Sequence, residues 1–268
     1  QKVVEIAPAP WLSDGLRAAI IDAALRMAKA ASYVNVGTFE FLVNADGDQF
    51  WFMEANPRLQ VEHTITEAIT DVDIVQTQLA IAAGATLTEL DIAKPPTVNG
   101  VAVQMRVNLE SMSGDGVVTP AEGVLSAFEP PSGPGVRVDS AGYAGFEVNS
   151  NYDAMIAKVI AHARAGDIEA ALRRARRALD ETRIEGASTN LSILRALAAH
   201  PDVARGAIST RFVEEQISSL LASPSAPPRT FASEGKPLEA VRRTVSAGPP
   251  GSQPALAPLR ATIVSIDV

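Results

Sequence analysis

Two glutamates stand in the most aromatic stretch of the chain, "GTFEFLVNADGDQFWFMEANPRLQVEH", residues 37–63. Glu40 and Glu54 lie in two runs of β-branched and aromatic residues separated by "NADGD", and Asp-Gly in such a place predicts a β-hairpin. A turn centred on Gly47 pairs residues equally far from it, so the two carboxylates are predicted to face each other. Directly opposed like charges destabilise a hairpin unless a cation lies between them. The pair therefore indicates a cation site.

Polar and apolar residues alternate through this segment, which we expect to stay extended beyond Glu54. One face of the predicted strands is apolar and is expected to be the core side: Phe39, Phe41, Val43, Trp51, Met53 and Ala55. The other face carries a polar row, namely Glu40, Glu54, Asn56, Arg58, Gln60 and Glu62. Carboxylate and amide oxygens at its start suit Mg²⁺ or Mn²⁺. Zinc is not expected, because no histidine pair has metal-binding spacing. An ordinary solvated strand face remains the alternative.

The elements around the hairpin follow from periodicity. A helix is predicted over residues 14–31, capped by Ser13 or Asp14, and another over residues 66–84, ending at Gly84. From about residue 96, short β runs punctuated by Gly and Pro predict a second, mainly antiparallel unit. Further helices are predicted at about 167–181, 189–199 and 211–221.

Composition excludes several classes of function. A net charge of -8 and a pI near 5.0 argue against nucleic acid as the main partner, and "RRARR" at 173–177 is read as a solvated helix face. There are no cysteines, which excludes disulfides and thiolate sites and fits a cytoplasmic protein. No apolar run reaches the ~18 residues of a membrane span, so no membrane partner is expected.

The segment "FMEANPRLQVEHTITEAITDVDIVQTQLAIAAG" closely resembles the signature of biotin carboxylases, which are ATP-grasp ligases. "QKVVEIAPAP", "GTFEFL", "VQMRVN", "GVRVDSAGYAGFEVNSNYDAMIAKVI" and "IEGASTN" resemble the same family in the same order, over about residues 1–215. "RVNLES" departs from the family's usual sequence, as does Asp71, where the family commonly has glycine. The resemblance implies an α+β protein: the C-terminal part of an ATP-grasp fold, followed by the mainly antiparallel biotin carboxylase C-terminal domain.

The resemblance also implies a role for each matching residue. Glu40 and Glu54, with Asn56, would hold two Mg²⁺ or Mn²⁺ ions that bridge the phosphates of ATP. Leu42 would contact adenine. Arg58, Gln60 and the backbone of Val61 would form the bicarbonate site, and Lys2 would lie near bicarbonate and the transferred phosphate. Glu62 would be the general base. Arg106 would stabilise carboxyphosphate and the biotin enolate. His63 is expected to be structural, and Tyr152, Asp153 and Lys158 to be structural or to support the biotin side.

The domain organisation implied by the resemblance has four parts: 1–95, part of the ATP-grasp domain; 96–221, the biotin carboxylase C-terminal domain; 222–255, a Pro- and Ser-rich linker with a short helix near 238–244; and 256–268, the start of a biotinyl carrier domain. The family's N-terminal domain and glycine-rich lid are expected to precede Gln1. We therefore expect these 268 residues alone to bind ATP poorly and to be inactive.

The implied activity is ATP- and bicarbonate-dependent carboxylation of carrier-bound biotin through carboxyphosphate. The parent is expected to be an acyl-CoA carboxylase of fatty acid metabolism, forming a homo-oligomer and working with a carboxyltransferase domain or subunit. Pyruvate carboxylase and urea carboxylase parents are the alternatives within the family. Outside it stand a ligase of the carbamoyl-phosphate synthase type, and a purely structural or docking role for this piece.

Overall fold

The computed structural model describes residues 2–44 and 46–222. The strands are β1 (Val4–Ala7), β2 (Thr38–Val43), β3 (Phe50–Asn56), β4 (Val101–Asn108), β5 (Glu110–Met112), β6 (Val118–Pro120), β7 (Ala127–Glu129), β8 (Val136–Ser140), β9 (Met155–Ala163) and β10 (Arg183–Glu185). The helices are α1 (Asp14–Ala30), α2 (His63–Thr70), α3 (Ile74–Ala82), α4 (Ile168–Glu181), α5 (Leu191–Ala199), α6 (Pro201–Arg205) and α7 (Phe212–Ala222). Helices and antiparallel sheets are mixed, which confirms the predicted α+β class.

A four-stranded antiparallel sheet of order β1-β4-β9-β8 forms the centre of the fold. Because side chains alternate along a strand, one face carries Val103, Met105 and Val107 of β4, which belong to the main core with α4 and α5. Each fully buried leucine there, such as Leu179, contributes about 1.5–3 kcal/mol through burial. The opposite face packs α2 over a smaller apolar cluster: Ile65, Ile69, Ala102 and Ile160. The sheet therefore presents a second face on which the candidate site is built.

The hairpin of β2 and β3 departs from the predicted register. Glu40 does pair with Glu54, but a bulge follows Glu40, and the strands close around residues 44–49 instead of a turn centred on Gly47. The predicted core side is also wrong, because Trp51 and Met53 are each 52% exposed. Phe41 instead makes edge-to-face contacts with Phe50 and Phe52. In the described residues the hairpin forms its own two-stranded sheet, and past the bulge Phe41 pairs with Phe52, so the odd-numbered residues of the two strands no longer share one face.

The helix predicted over 66–84 is two helices. Asp71 ends α2 with a left-handed backbone (φ 57°), and Asp73 begins α3 by accepting a hydrogen bond from the amide of Gln76 at 2.8 Å. The continuous apolar periodicity of "TEAITDVDIVQTQLAIAAG" concealed a helix stop at Asp71 and a helix start at Asp73, only two residues apart. The predicted end at Gly84 is confirmed, since this glycine has a positive φ of 101° directly after the C-cap of α3.

Asp71→Gly is expected to stabilise the protein by about 0.5 kcal/mol, because glycine adopts the left-handed conformation without a Cβ penalty. The ion pair of Asp71 with Arg164 is exposed on both sides and contributes little to stability. Asp71→Ala keeps the Cβ but loses the polar side chain, and should destabilise by about 1 kcal/mol. Thermal unfolding of the three proteins checks this, and an alanine variant more stable than the glycine variant would contradict it.

The remaining predicted elements are found with small shifts. Ser13 caps α1, its Oγ accepting from the amide of Leu16 at 3.2 Å, and the three later helices are α4, α5 and α7. Helix α6 was missed, although Pro201 at its start and Gly206 at its end are standard helix boundaries. The predicted short helix at 238–244 and the predicted carrier strand at 256–268 lie outside the described residues, as does the linker from residue 223 on. The domain boundaries stay predictions.

Among the described residues, none of the helices has both the length and the apolar character needed to cross a membrane.

Candidate active site

The opposed carboxylates at the end of the hairpin are joined by nitrogen donors. Asn56 Nδ2 donates to Glu54 Oε1 at 2.8 Å and to Glu40 Oε1 at 3.2 Å. Glu40 Oε1 also accepts from Lys2 Nζ and from Gln60 Nε2, each at 2.8 Å. Hydrogen bonds from Lys2 and Gln60 hold the pKa of Glu40 below its ordinary value. The repulsion expected between the two glutamates is therefore offset by one ammonium and two amides.

The chain turns immediately after β3, contrary to the predicted extended continuation. The amide of Arg58 donates to the carbonyl of Asn56 at 2.9 Å, and that of His63 donates to the carbonyl of Gln60 at 3.2 Å. Pro57 follows Asn56, and proline cannot donate to a strand ladder, which favours the end of the strand there. The turn still returns Gln60 to the carboxylate pair and places Glu62 as the residue before α2.

Glu62 lies between two cations that come from distant parts of the chain. Lys2 Nζ is 2.9 Å from Glu62 Oε1, and a guanidinium nitrogen of Arg106 donates to Oε2 at 3.0 Å. Burial raises the pKa of Glu62, but hydrogen bonds from Lys2 and its own backbone, with the attraction of Lys2 and Arg106, outweigh burial and lower the pKa. For Lys2, burial lowers the pKa, and the hydrogen bonds to Glu40 and Glu62 outweigh it and raise the pKa. Glu62 is therefore ionised at neutral pH.

Arg106 also forms an ion pair with a second carboxylate, which was not predicted as a site residue. Glu5 of β1 accepts from Arg106 Nε and, at 3.0 Å, from Gln104 Nε2. Burial raises the pKa of Glu5, and the attraction and hydrogen bond of Arg106 only partly offset this. Gln104 in turn accepts from the hydroxyl of buried Thr64 in α2. Alternation in "VAVQMRVN" places Gln104 on the same face as Arg106, and this pattern in the sequence could have indicated that Arg106 has polar neighbours.

Two protein-family models match this chain. The ATP-binding domain of the carbamoyl-phosphate synthase L chain matches residues 1–90, and the biotin carboxylase C-terminal domain matches residues 104–215. An ATP-binding domain like that of residues 1–90 occurs in more than one type of ligase, so the match of residues 104–215 is the one that identifies the type. The chain therefore carries the ATP-binding and C-terminal domains of a biotin carboxylase. These domains agree with the resemblance that the segment "FMEANPRLQVEHTITEAITDVDIVQTQLAIAAG" carries.

Curated relatives of this biotin carboxylase chain include proteins that differ in their named substrates. Pyruvate carboxylase of Staphylococcus aureus (strain Mu50 / ATCC 700699) is 41% identical over 220 residues, which cover 80% of this chain and 19% of that protein. The biotin-dependent acyl-coenzyme A carboxylase alpha3 subunit of Mycobacterium leprae (strain TN) is 41% identical over 220 residues, covering 81% of this chain and 36% of that protein. The chain thus spans between about a fifth and two fifths of these relatives.

Solved structures give the same assignment. The biotin carboxylase domain of a single-chain bacterial carboxylase is 46% identical, with a TM-score of 0.76 over 82% of this chain and 50% of that one. The biotin carboxylase domain dimer of Hydrogenobacter thermophilus 2-oxoglutarate carboxylase, in complex with MgADP, ADP and bicarbonate, is 36% identical. Its TM-score is 0.74, over 82% of this chain and 47% of that one. The ATP-grasp assignment of the fold follows from these similarities.

Three residues assigned by the biotin carboxylase resemblance lie outside the hydrogen-bonded cluster. Arg58 donates to the carbonyl of its neighbour Leu59 at 3.2 Å. Leu42 is 45% exposed on β2. The carbonyl of Val61 accepts from Lys158 Nζ at 3.2 Å, a contact that the sequence did not predict. The structure therefore brings together Lys2, Glu40, Glu54, Asn56, Gln60, Glu62 and Arg106.

The carboxylate pair fits a hard divalent cation. Glu40 and Glu54 face each other, and the amide between them can present its oxygen instead of its nitrogen by exchanging the two amide positions. Within residues 2–44 and 46–222, no three carboxylate or histidine side chains converge as a metal centre. Further ligands would therefore have to come from the amide, from water or from a phosphate, which is the usual way magnesium is held.

Proposed function

We propose that this chain contributes the bicarbonate-activating part of a biotin carboxylase, which carboxylates biotin at the expense of ATP. The observation that carries the proposal is the arrangement of Glu62 between Lys2 and Arg106, adjoining the Glu40–Glu54 pair. One carboxylate able to take a proton thus lies between two cations able to bind an oxyanion. The acidic pair next to them is suited to a cation that accompanies nucleotide phosphates.

Glu62 acts in this proposal as the base that deprotonates bicarbonate. Its pKa is held low by Lys2 and Arg106, which makes it a weak base as long as both cations bind it. A bicarbonate anion between the cations would compete with Glu62 for their hydrogen bonds, and the pKa of Glu62 would then rise towards the range a general base needs. Substrate binding and base activation are thereby coupled through the same two side chains.

The other proposed roles follow from charge and position. Arg106 and Lys2 would bind the negative charge of bicarbonate and of the transferred phosphate, with Arg58, Gln60 and the Val61 backbone completing the bicarbonate site. Glu40, Glu54 and Asn56 would hold Mg²⁺ or Mn²⁺, which supplies charge neutralisation for phosphate when bound. Leu42 would contact adenine from its exposed position. The complex of the 2-oxoglutarate carboxylase domain with MgADP and bicarbonate supports this set of ligands.

The function is tested by assaying ATP cleavage in the full-length protein. We expect ADP formation that requires both bicarbonate and a divalent cation, and carboxylated biotin as the second product. ADP formation that is unaffected by removing bicarbonate would contradict the proposal, since a phosphoryl acceptor other than bicarbonate would then be in use.

Glu54→Gln is expected to raise the Mg²⁺ concentration for half-maximal ATP cleavage about tenfold, because one of two charged oxygen ligands becomes a neutral amide. The measurement is a Mg²⁺ titration at saturating bicarbonate. Asp48→Gln, which alters an acidic residue in the hairpin loop, is the matched control and should leave the titration unchanged. An unchanged titration for Glu54→Gln would remove this residue from the metal site.

The carboxyl acceptor of the parent is proposed to be an acyl-CoA. The acyl-coenzyme A carboxylase alpha3 subunit supports this, and the equally similar pyruvate carboxylase makes a 2-oxo acid the competing acceptor. Transfer of labelled carboxyl to propionyl-CoA but not to pyruvate, in the presence of the carboxyltransferase partner and the biotinyl carrier, would support the first. A homo-oligomer is also proposed, with support from the dimer of the 2-oxoglutarate carboxylase domain.

A further inference from the structure

Two cations lie directly opposite each other on the site-facing side of the central sheet. Arg106 of β4 pairs with Lys158 of β9, and Lys158 pairs with Asp139 of β8. The two basic side chains are only 16% and 10% exposed. Directly opposed like charges in a sheet are destabilising, and a mostly buried ammonium is costly unless it is paired and hydrogen-bonded. The hydrogen-bonded cluster described above includes Arg106 but not Lys158, which donates instead to the carbonyl of Val61.

The contacts of Lys158 reach the segment that carries the proposed base. Its Nζ donates to the carbonyl of Val61 at 3.2 Å and lies 3.3 Å from Asp139 Oδ2. Val61 stands between Gln60, which donates to Glu40, and Glu62, which binds the two cations of the site. A single backbone carbonyl held in place thus fixes the residues on both of its sides.

Lys158 is itself held by a chain of ion pairs that returns to the same segment. Asp139 accepts two hydrogen bonds from Arg137, at 2.8 and 3.0 Å, and Arg137 donates to Glu67 of α2 at 2.7 Å. Burial raises the pKa of Asp139, but the hydrogen bonds and attraction of Arg137 and the attraction of Lys158 outweigh it, so the pKa is lowered. Residues 61–67 are therefore fastened to β8 and β9 at both ends, by Lys158 and by Arg137.

We propose that Lys158 is a positioning residue, which holds the Val61 carbonyl so that Gln60 and Glu62 face the carboxylate pair and the bicarbonate site. The turn at residues 58–62 lies outside any strand or helix, so its conformation depends on contacts of this kind. The consequence for catalysis rests on the proposed function. The consequence for local structure does not.

Hydrogen exchange of Lys158→Met in the full-length protein tests the structural part. The amides of His63 and Ile65, which bond to the carbonyls of Gln60 and Glu62, should exchange at least about tenfold faster, as expected from losing a hydrogen bond to a charged group. The ladder between β4 and β9 should stay protected. Unchanged exchange at residues 60–65, or equal acceleration throughout the protein, would overturn the proposal.

Arg195→Met is the matched control. Arg195 is also a largely buried cation, 19% exposed, which donates to the carbonyl of Leu179 at 2.7 Å and lies 3.3 Å from Asp180. It belongs to α5, on the other face of the sheet, so its loss should leave exchange at residues 60–65 unchanged. If Lys158→Met does not fold, Asp139→Asn tests the proposal instead, because it removes the ion pair that holds Lys158. It should accelerate hydrogen exchange at residues 60–65, and no acceleration would overturn the proposal.

The kinetic part is measured on the same variants. Lys158→Met should raise the KM for bicarbonate about tenfold with a smaller effect on kcat, because the site must be ordered by the substrate itself. Lys158→Arg, which can still donate to a carbonyl, should restore most of the loss, and Arg195→Met should not change KM. A wild-type protein without bicarbonate-dependent ATP cleavage would refute the proposed function, and hydrogen exchange alone would then decide the role of Lys158.

Discussion

Glu62→Gln is expected to lower bicarbonate-dependent ATP cleavage in the full-length protein by about 100- to 10,000-fold, the range associated with loss of a general base. Glutamine preserves the length of the side chain, and its one amide oxygen can still accept a hydrogen bond from Lys2 or from Arg106, which bind different oxygens of Glu62. It cannot take a proton from bicarbonate. The loss should therefore appear in kcat, with little change in the KM for ATP, and is measured by steady-state ADP formation at saturating bicarbonate.

Glu185→Gln is the control for this prediction. A hydrogen bond from Arg183 holds the pKa of Glu185 below its ordinary value, much as cations do for Glu62, but Glu185 lies in the β7–β10 sheet. Its substitution should leave the rate unaltered. If Glu62→Gln kept a rate within a few-fold of wild type, the base would have to be sought elsewhere, and the two cations would merely neutralise a structural carboxylate.

The pairing of Glu40 with Glu54 could be predicted, although the reasoning behind it was partly incorrect. The observed loop closes at Val43 and Phe50, one residue out of step with a turn centred on Gly47. The bulge after Glu40 adds the missing residue and restores the predicted pairing at the strand end. Turn signals locate a hairpin well, but a bulge depends on packing around it and leaves no distinct pattern in the sequence.

The exposure of Trp51 and Met53 marks a second limit. Alternation specifies which side chains share a face of a sheet, but it does not specify whether another layer covers that face. Asp71 marks a different, local limit, because a helical period continues through a residue that ends one helix.

The polar partners behind the site could be predicted only in part. Gln104 and Arg106 alternate with buried apolar residues in β4, which indicates a polar face on that strand. Glu5 and Lys158 reach this face from strands about a hundred and about fifty residues away along the chain, and only the order β1-β4-β9-β8 makes them neighbours. Such contacts depend on strand order, which a single sequence specifies weakly.

Arg106→Met is expected to have two separate large effects. It removes a cation from the bicarbonate site, which should lower bicarbonate-dependent ATP cleavage by about 100- to 1,000-fold. It also leaves Glu5, only 10% exposed, without its ionic partner, which should destabilise the protein by about 3 kcal/mol. Because a less stable enzyme can lose activity for that reason alone, the two effects have to be separated.

The double variant Glu5→Gln/Arg106→Met separates them. Glutamine removes the unpaired buried carboxylate and can still accept the hydrogen bond of Gln104, so the double variant should regain most of the lost stability in urea unfolding. Its ATP cleavage should remain as low as that of Arg106→Met, because the double variant still lacks the Arg106 cation beside Glu62. Glu5→Gln alone should stay within about tenfold of the wild-type rate. Recovery of activity together with stability in the double variant would show that Arg106 only compensates Glu5, and the bicarbonate site would then rest on Lys2 and Arg58.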